Sequence, residues 1–329
     1  MNSHSVKTIL ITINLDDHHI DSIRVAAPGC KLFITHDRKD LVERINEFIP
    51  EIEVVLGMLP RDKTLRDRIL GAPHLRWVQQ FGAGANWLME HPEIVEGELI
   101  VTNASGVHAI PISEHILAFM FALSRDIHQS IREQSEHRWN RRHSVLELEE
   151  STIGIIGVGS IGEKTAEKAK ALNMRVLGIR RHPEHASCWV DSMYGPDGLI
   201  EVLSQSDWVV ITVPLTRETE GLIGENELKV MKQSAFIINI GRGPIIQEKV
   251  LIKALKGGWI AGAGLDVFEE EPLPSDSSLW DMKNVIITSH YAGTTPRYND
   301  RMIEIFTENL GRFQAGKTLM NVIDKRLGY

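Results

Sequence analysis

Three glycines near the middle of the chain have the spacing that lets a backbone loop bind phosphate. Gly157, Gly159 and Gly162 form G-x-G-x-x-G in GVGSIG, after the apolar run TIGII and before the helical pattern IGEKTAEKAKAL. In such a loop the first glycine makes a tight turn, the second lets the backbone approach a pyrophosphate, and the third lets helix and strand pack closely. The helix N-terminus faces the anion with unpaired N–H groups. In this context the spacing predicts a dinucleotide site, the alternative being a structural turn without a ligand.

Two arginines stand where the next apolar strand ends, in VLGIRRHPE. At this interval an Asp or Glu commonly accepts a hydrogen bond from the 2′-hydroxyl of NAD, but here Arg180 takes that place and Arg181 follows it. A guanidinium fork binds a phosphate at two points. The pair therefore predicts that NADP(H) is preferred while NAD(H) is still accepted, unless both arginines are solvated surface charges. His182 is either a third phosphate ligand or a surface histidine.

Three later segments place charged residues beyond apolar strands. Arg242 lies between two glycines in INIGRGPIIQ, on the side of a parallel sheet where ligands bind, or else the glycines only form a turn. Asp266 and Glu269–Glu271 lie in GAGLDVFEEEPLP, a run that alone would be a solvated loop. His290 ends the apolar run of VIITSHYAGTT, where a lone histidine is more often structural than catalytic. Taken singly, these segments do not identify a reaction.

Length and composition restrict the class of protein. The 329 residues favour two domains, and 43% hydrophobic with 24% charged residues is ordinary for a soluble globular protein. The formal charge of −8 argues against a general nucleic-acid binder. Cys30 and Cys188 suggest neither a disulfide framework nor a metal site. The N-terminal apolar run is too short for a secretory signal, and no run approaches the roughly 18 apolar residues of a membrane helix. We therefore expect a cytoplasmic protein that binds neither membrane nor nucleic acid.

Short β-branched runs alternate with amphipathic stretches along the chain, which predicts an α/β fold with parallel sheets. We expect two Rossmann-like or flavodoxin-like domains, the cofactor domain being inserted into the substrate domain. The expected substrate domain comprises residues 1–103 and 292–329, because the helical tail could pack back on the first unit. Residues 104–291 then form the dinucleotide-binding domain. Its predicted helices cover 161–172, 198–204, 225–231 and 247–256, and an apolar helix near 110–127 precedes them.

The order of the motifs is more informative than any one of them. GIIGVGSIG, NIGRG, GAGLDVFEEEPLP and TSHYAGTT occur in this sequence at intervals that resemble the D-isomer-specific 2-hydroxyacid dehydrogenases. That family includes glyoxylate/hydroxypyruvate reductases, phosphoglycerate dehydrogenases and formate dehydrogenases, and the resemblance covers residues from about 50 to 325. It implies an enzyme that reduces a 2-keto acid to a D-2-hydroxy acid by hydride transfer from a nicotinamide cofactor. The two arginines of VLGIRRHPE predict that NADPH is the preferred cofactor.

The resemblance implies the catalytic roles as well. Arg242 would clamp the substrate carboxylate and polarise the carbonyl group. His290 would be the general acid in reduction and the base in oxidation. Glu271, which precedes the proline, would hydrogen-bond His290 and favour the imidazolium form, while Glu269 and Glu270 would be surface charges.

The glycine loop, the arginine pair and the resemblance together imply a set of binding residues. Asp266 would bind the carboxamide of the nicotinamide. The cofactor-binding residues are Gly157, Gly159, Ser160, Ile161, Gly162, Arg180, Arg181, Val213, Pro214, Ile240, Asp266, Ala292 and Gly293. The substrate-binding residues are Phe81, Gly82, Ala83, Gly84, Arg242 and His290.

The first domain would supply the other half of the substrate site. In QQFGAGANWL the N–H groups of Ala83 and Gly84 could cradle a carboxylate, although the loop could also be purely structural. Gly106 and Val107 would lie where the chain crosses between domains. Met58, Leu59 and Trp139 are candidates for the variable end of the pocket, and a core or interface position suits the tryptophan equally well.

Two other functions compete with this prediction. Corepressors that resemble the family sense NAD(H) and keep the same catalytic residue types, so the triad alone does not separate them from enzymes. A member acting on phosphite or formate is the other alternative, although formate enzymes of the family have Gln where Glu271 stands. We also expect a homodimer, built by the apolar helix near 110–127 and the polar arm that follows it.

Overall fold

The computed structural model describes residues 5–35, 37–82, 91–142, 144–185 and 187–325, with the backbone alone at position 93. The chain divides into two compact units. Unit 1 comprises Met1–Val107 and Pro296–Tyr329, and unit 2 comprises His108–Thr295, so unit 2 is inserted into unit 1. Each unit contains one parallel sheet flanked by helices. The predicted fold class, α/β with two parallel-sheet domains, is therefore confirmed.

In the described part of unit 1 there are five strands, each followed along the chain by a helix or by the crossing into unit 2. Its elements are β1 (Thr8–Ile11), α1 (Asp17–Ala26), β2 (Lys31–Ile34), α2 (Arg38–Phe48), β3 (Val54–Gly57), α3 (Lys63–Leu70), β4 (Trp77–Gln80), α4 (Pro92–Glu96), β5 (Ile100–Thr102) and, after the insertion, the chain's last helix, α11 (Tyr298–Gln314). The strand order is β2-β1-β3-β4-β5, all parallel.

The tail helix, α11, packs on unit 1. Helix α11 contacts α1, and Ile20 and Ile23 of α1 share an apolar cluster with Met302 and Phe306 of α11. All four side chains are buried. Burying an aliphatic or aromatic side chain of this size stabilises a fold by roughly 1.5–3 kcal/mol, so this contact is sufficient to attach the tail.

Unit 2 begins with two helices and continues as an alternating α/β segment. Its elements are α5 (Ala109–Ser124), α6 (Ile127–Ser135), β6 (Thr152–Ile156), α7 (Ser160–Ala171), β7 (Arg175–Ile179), β8 (Ser192–Tyr194), α8 (Leu199–Gln205), β9 (Trp208–Ile211), α9 (Glu225–Val230), β10 (Phe236–Asn239), α10 (Glu248–Lys256), β11 (Gly262–Leu265) and β12 (Val285–Ile287). Helices α7 to α10 occupy the four segments predicted to be helical.

The sheet of unit 2 has the order β12-β11-β10-β9-β6-β7-β8, and every pair is parallel. Strand β6 has β7 on one side and β9 on the other, so the winding direction reverses there. In open parallel sheets, ligands bind beyond the carboxyl ends of the strands at this reversal. The GVGSIG loop follows β6 directly, and the topology therefore places it at the expected binding position.

Both faces of this sheet are covered, which explains its continuous apolar strands. Ile155 and Val210 belong to one buried cluster, while their neighbours Ile156 and Val209 belong to the cluster on the opposite face. Strand β8 was not predicted, because its three half-buried residues show no apolar run. Among the described residues, no helix has the length and apolar character needed to span a bilayer.

Candidate active site

The three glycines of the GVGSIG loop differ in how closely their surroundings pack. Gly157 has φ +107°, and a Cβ there would lie 2.7 Å from Val213 Cγ1. A Cβ at Gly162 would lie 2.3 Å from Gly157 O, so the first turn of α7 packs directly on the loop. A Cβ at Gly159 would meet no atom within 4 Å. The first and third glycines are thus required by close packing, whereas the second faces open space at the N-terminus of α7, where a pyrophosphate would lie.

Arg180 follows the carboxyl end of β7, next to β6 in the sheet. Its backbone N–H donates to Tyr194 O of the neighbouring strand, and its Nη1 donates to His185 O at 3.3 Å. Arg181 is exposed, and its charge helps to lower the pKa of Glu218, after the larger effects of a hydrogen bond from Thr216 and a backbone hydrogen bond. Since Glu218 follows β9, the charge of Arg181 acts across the glycine loop, which lies between the ends of β7 and β9.

His182 lies in the same segment and is exposed. Its Nδ1 is 3.2 Å from Glu184 Oε1, and its ring centroid is 5.9 Å from that of His185. The segment after β7 therefore combines two arginines with two histidines and one acid.

His290 and Glu271 form the shortest polar contact of the predicted catalytic residues. His290 Nδ1 and Glu271 Oε2 are 2.6 Å apart, and Glu271 Oε1 accepts the N–H of Phe268 at 3.0 Å. Partial burial raises the pKa of Glu271, but the hydrogen bonds from His290 and Phe268 and the charges of His290 and Arg242 outweigh it and hold the pKa below its usual value. The carboxylate is thus ionised at neutral pH and engages Nδ1 of His290, which leaves Nε2 for a substrate.

Arg242 is held by the turn that contains it. The buried Asn239 at the end of β10 accepts the N–H of Gly241 and donates to Arg242 O, both at 3.0 Å, and Arg242 Nη1 donates to Gly241 O at 2.7 Å. A Cβ at Gly243 would lie 1.8 Å from the carbonyl carbon of Phe268. The arginine turn and the loop of Glu271 are therefore in direct backbone contact, which only glycine permits.

Asp266 is buried at the end of β11, and its carboxylate is surrounded by donors. Oδ1 accepts the hydroxyl of Thr288 at 2.5 Å and the N–H of Tyr291 at 3.1 Å, while Oδ2 accepts the N–H of Ala292 at 3.0 Å. The N–H of His290 donates to the backbone carbonyl of Asp266 at 2.9 Å. Asp266 thus binds the loop that carries His290.

The remaining predicted cofactor residues of unit 2 also follow strands at this edge. Val213 and Pro214 follow β9, Ile240 follows β10, and Ala292 and Gly293 follow β12. Ser160 and Ile161 begin α7. The structure therefore brings every predicted cofactor residue of unit 2 to the carboxyl edge of one sheet.

The predicted substrate residues of unit 1 follow β4. The hydroxyl of Tyr298 donates to Phe81 O, and the two rings lie 4.5 Å apart. Burial raises the pKa of Tyr298 to about 12, so the hydroxyl keeps its proton and acts as a donor. Gly82 follows Phe81, whereas Ala83 and Gly84 lie outside the described residues.

Other predicted positions of unit 1 lie near its strand ends or its boundary. Met58 is exposed and Leu59 half-buried after β3. Gly106 and Val107 end the first part of unit 1.

Comparison with known proteins identifies the family. The D-isomer specific 2-hydroxyacid dehydrogenase, NAD binding domain, matches residues 117–292. This chain belongs to the D-isomer specific 2-hydroxyacid dehydrogenase family. The dehydrogenase is 34% identical to a glyoxylate reductase of Pyrococcus furiosus over 87% of this chain and 86% of that one. It is an NAD(P)-dependent 2-ketoacid reductase, as the motif order implied.

Two solved structures are similar over their whole length. A D-isomer specific 2-hydroxyacid dehydrogenase from Xanthobacter autotrophicus Py2, in complex with NADPH and MES, is 30% identical with a TM-score of 0.81, covering 99% of this chain and 100% of that one. An NADPH-dependent glyoxylate/hydroxypyruvate reductase from Sinorhizobium meliloti, in complex with NADP and sulfate, is 25% identical with a TM-score of 0.77, covering 98% and 100%.

Sequence reasoning missed several residues that support the dehydrogenase site. Asn239 is the last residue of a buried strand, just before the predicted arginine turn. A polar residue at that position was the feature of the sequence that could have indicated its role. Thr288 stands two residues before His290. His115 lies on the apolar helix α5, where a histidine among apolar residues was the only hint. Glu269, predicted to be a surface charge, is exposed but also accepts the N–H of Glu248 at the start of α10.

Proposed function

We propose that this dehydrogenase reduces a small 2-keto acid to the D-2-hydroxy acid and prefers NADPH to NADH. The observation that carries the cofactor preference is the arginine pair at the carboxyl end of β7, where an acid would otherwise bind the 2′-hydroxyl of NAD. Arg180 and Arg181 both favour a 2′-phosphate, because guanidinium groups attract and hydrogen-bond phosphate oxygens. The NADPH and NADP complexes of the two solved relatives support this preference.

The residues of the glycine loop suit the cofactor's pyrophosphate. The open space at Gly159 and the first N–H groups of α7 offer an anion site, and the Gly159 N-cap has no side-chain acceptor that would occupy these donors. When bound, the nicotinamide supplies a hydride to the carbonyl carbon. We assign unit 2 to the cofactor and unit 1 to substrate orientation.

The catalytic residues would complete the reduction. The guanidinium of Arg242 binds the substrate carboxylate and polarises the carbonyl group. As the carbon accepts a hydride, the π-electron pair moves to the oxygen, and His290 transfers its Nε2 proton there. Glu271 holds Nδ1 of His290 and stabilises the imidazolium before this transfer. In the reverse direction the neutral imidazole removes the hydroxyl proton.

The substrate is expected to be a small keto acid such as glyoxylate. The glyoxylate reductase of Pyrococcus furiosus and the glyoxylate/hydroxypyruvate reductase of Sinorhizobium meliloti support this class. The loop that begins at Phe81 and Gly82 would bind the substrate carboxylate from unit 1, together with Ala83 and Gly84.

A homodimer is also proposed, on the apolar surface of the first two helices of unit 2. Phe121 of α5 is 41% exposed, Ile131 of α6 is 61% exposed, and Trp139 of the following arm is 90% exposed. Exposed apolar side chains on three consecutive segments would suit a surface that a second copy covers. Light scattering coupled to gel filtration should give twice the chain mass, and a monomer would contradict the assignment.

Steady-state kinetics test the proposed activity. Purified protein is mixed with NADPH or NADH and with glyoxylate, hydroxypyruvate, pyruvate or phenylpyruvate, and the loss of nicotinamide absorbance is followed. We expect turnover with the small keto acids and a kcat/KM that is higher for NADPH than for NADH. A higher value for NADH would contradict the cofactor preference, and lack of turnover with all four acids would contradict the substrate class.

A further inference from the structure

The proposed general acid has an unusual backbone conformation. His290 has φ +54°, in the left-handed region that residues other than glycine rarely adopt. Such a residue persists only where its surroundings hold it. The residues that stabilise this conformation therefore determine where the imidazole lies relative to Glu271.

The carboxylate of Asp266 is the main support of this turn. Its two oxygens accept the N–H groups of Tyr291 and Ala292, the two residues after His290. Consecutive N–H groups next to a left-handed residue form a concave anion site, and here the anion is a side chain of the same unit. The turn at His290 and the buried charge of Asp266 thus stabilise each other.

Asp266 is in turn oriented by two residues from other elements. Thr288 donates its hydroxyl proton to Asp266 Oδ1 at 2.5 Å. The Thr288 oxygen is also 3.0 Å from Nε2 of His115 on α5. Since the hydroxyl proton is already directed to the carboxylate, the hydroxyl oxygen accepts, and Nε2 of His115 carries the hydrogen. The chain of donors therefore runs from His115 through Thr288 to Asp266.

The surroundings of His115 hold its ring in one place. The ring packs edge-on against Phe119, with centroids 4.7 Å apart, and against Tyr291, with centroids 5.4 Å apart. Burial lowers the pKa of His115, and the charge of Asp266 opposes this only in part. A neutral ring with hydrogen on Nε2 is sufficient to donate to Thr288.

We infer that Thr288 and His115 are positioning residues for the proton transfer: through Asp266 they hold the backbone of His290 so that its ring meets Glu271. This inference rests on the proposed role of His290 as general acid. Neither residue need touch the substrate, because both act on the Asp266 carboxylate, which binds the N–H groups that follow His290. Loss of either donor should reduce kcat more than it weakens cofactor binding.

Two variants of Thr288 test the hydroxyl. Thr288→Val keeps the shape and removes the donor, whereas Thr288→Ser keeps the donor. We expect kcat for keto-acid reduction to fall roughly tenfold in Thr288→Val, as for loss of one hydrogen bond to a charged group. The Kd for NADPH, measured by fluorescence, should stay within about threefold, and Thr288→Ser should recover most of the rate.

Two variants of His115 separate the hydrogen bond from the packing. His115→Phe keeps an aromatic ring between Phe119 and Tyr291 but removes the donor, and His115→Gln keeps an N–H donor but removes the ring. We expect His115→Gln to retain more of kcat than His115→Phe. Hydrogen–deuterium exchange of the peptide that spans residues 288–293 should be faster in His115→Phe and in Thr288→Val than in the wild type.

The outcomes distinguish this inference from the proposed function. If His290→Ala keeps near-normal turnover, the proposed general acid is wrong. If His290→Ala is inactive while Thr288→Val retains wild-type kcat and exchange rates, the proposed function stands and the positioning role is refuted. A His115→Phe variant that is as active as the wild type refutes the contribution of α5. Equal losses in Thr288→Ser and Thr288→Val would also refute the inference, since packing and not the hydroxyl would then matter.

Discussion

The carboxyl edges of the two sheets hold their proposed functional residues in different ways. In unit 2 two of the supports lie close in sequence: Asn239 donates to the backbone carbonyl of Arg242, and the N–H of Phe268 donates to Glu271, each three residues away. In unit 1 the carbonyl of Phe81 is held by Tyr298, 217 residues further along the chain. Local partners produce a recognisable motif, whereas remote partners leave no pattern in the sequence around the site.

The same contrast extends below the substrate loop. The side chain of Gln79, two residues before Phe81, accepts a hydrogen bond from Thr102 at 2.7 Å and another from Asn309 at 3.4 Å. These partners come from β5 and α11. The carboxyl edge of the unit 1 sheet therefore depends on α11, which follows the inserted unit 2 in the chain. The residues that support the carboxyl edge of the unit 2 sheet all belong to unit 2 itself. If this comparison is correct, changes in unit 2 should impair the chemistry and the cofactor choice, whereas changes at the Phe81 loop of unit 1 should affect mainly the affinity for the substrate.

The largest effect is expected at His290. His290→Ala removes the proposed proton donor, and kcat for reduction should fall by about 10³-fold, within the range of general acid catalysis. Stopped-flow or steady-state absorbance gives kcat. The exposed His74 of unit 1 provides the control, because His74→Ala should leave kcat unchanged. If His290→Ala keeps near-normal turnover, the proton transfer does not take place at the carboxyl edge of the unit 2 sheet.

Cofactor choice should change next most strongly. Arg180→Asp replaces a phosphate ligand with a group that repels phosphate and accepts the 2′-hydroxyl, so the ratio of kcat/KM for NADPH to that for NADH should fall about 100-fold. Arg175 begins the same strand at its opposite end and is exposed, and Arg175→Asp is the matched control. Similar ratios in the two variants would show that the position at the end of β7 has no special role.

Two glycines of one loop should respond differently to the same added methyl group. Gly162→Ala places Cβ 2.3 Å from Gly157 O, and we expect the free energy of unfolding to decrease by about 1–3 kcal/mol. Gly159→Ala has free space and should keep the wild-type Tm, but the Kd for NADPH should rise roughly tenfold as the methyl group enters the pyrophosphate position. Denaturant unfolding and fluorescence titration measure the two quantities. Unchanged NADPH binding in Gly159→Ala would place the phosphates elsewhere.

The smallest effect is expected in unit 1. Tyr298→Phe removes the donor to Phe81 O, and the KM for the keto acid should rise about fivefold, as for loss of one neutral hydrogen bond. The Kd for NADPH should not change. Tyr194→Phe in unit 2, which removes a surface hydroxyl bonded to Glu201, is the control. If Tyr298→Phe weakens NADPH as much as the keto acid, the division of labour between the units is wrong.

What could be predicted from the sequence depends on whether the signal is local. The glycine loop and helices α7 to α10 were predicted because their signals are local: apolar periodicity, glycine spacing and strand ends. Strand β8 was missed because it pairs with β7 through backbone hydrogen bonds and has no apolar pattern. The apolar helix predicted near 110–127 corresponds to α5, but its end and the second helix, α6, were not predicted: Asp126 has φ +55° and separates the two. The ion pair of its side chain with Arg142, 2.6 Å away, depends on the fold of the arm and is not visible locally.

The direct backbone contact at Gly243 limits which parts of this enzyme can change when its substrate specificity changes. Because a Cβ there would overlap the carbonyl of Phe268, a side chain at position 243 would push the turn of Arg242 away from the loop of Glu271. The spacing between the proposed substrate clamp and the carboxylate that orients the proton donor therefore depends on this glycine. New substrate specificities are therefore expected to arise through the loops of unit 1, while the spacing between anion binding and proton transfer stays constant.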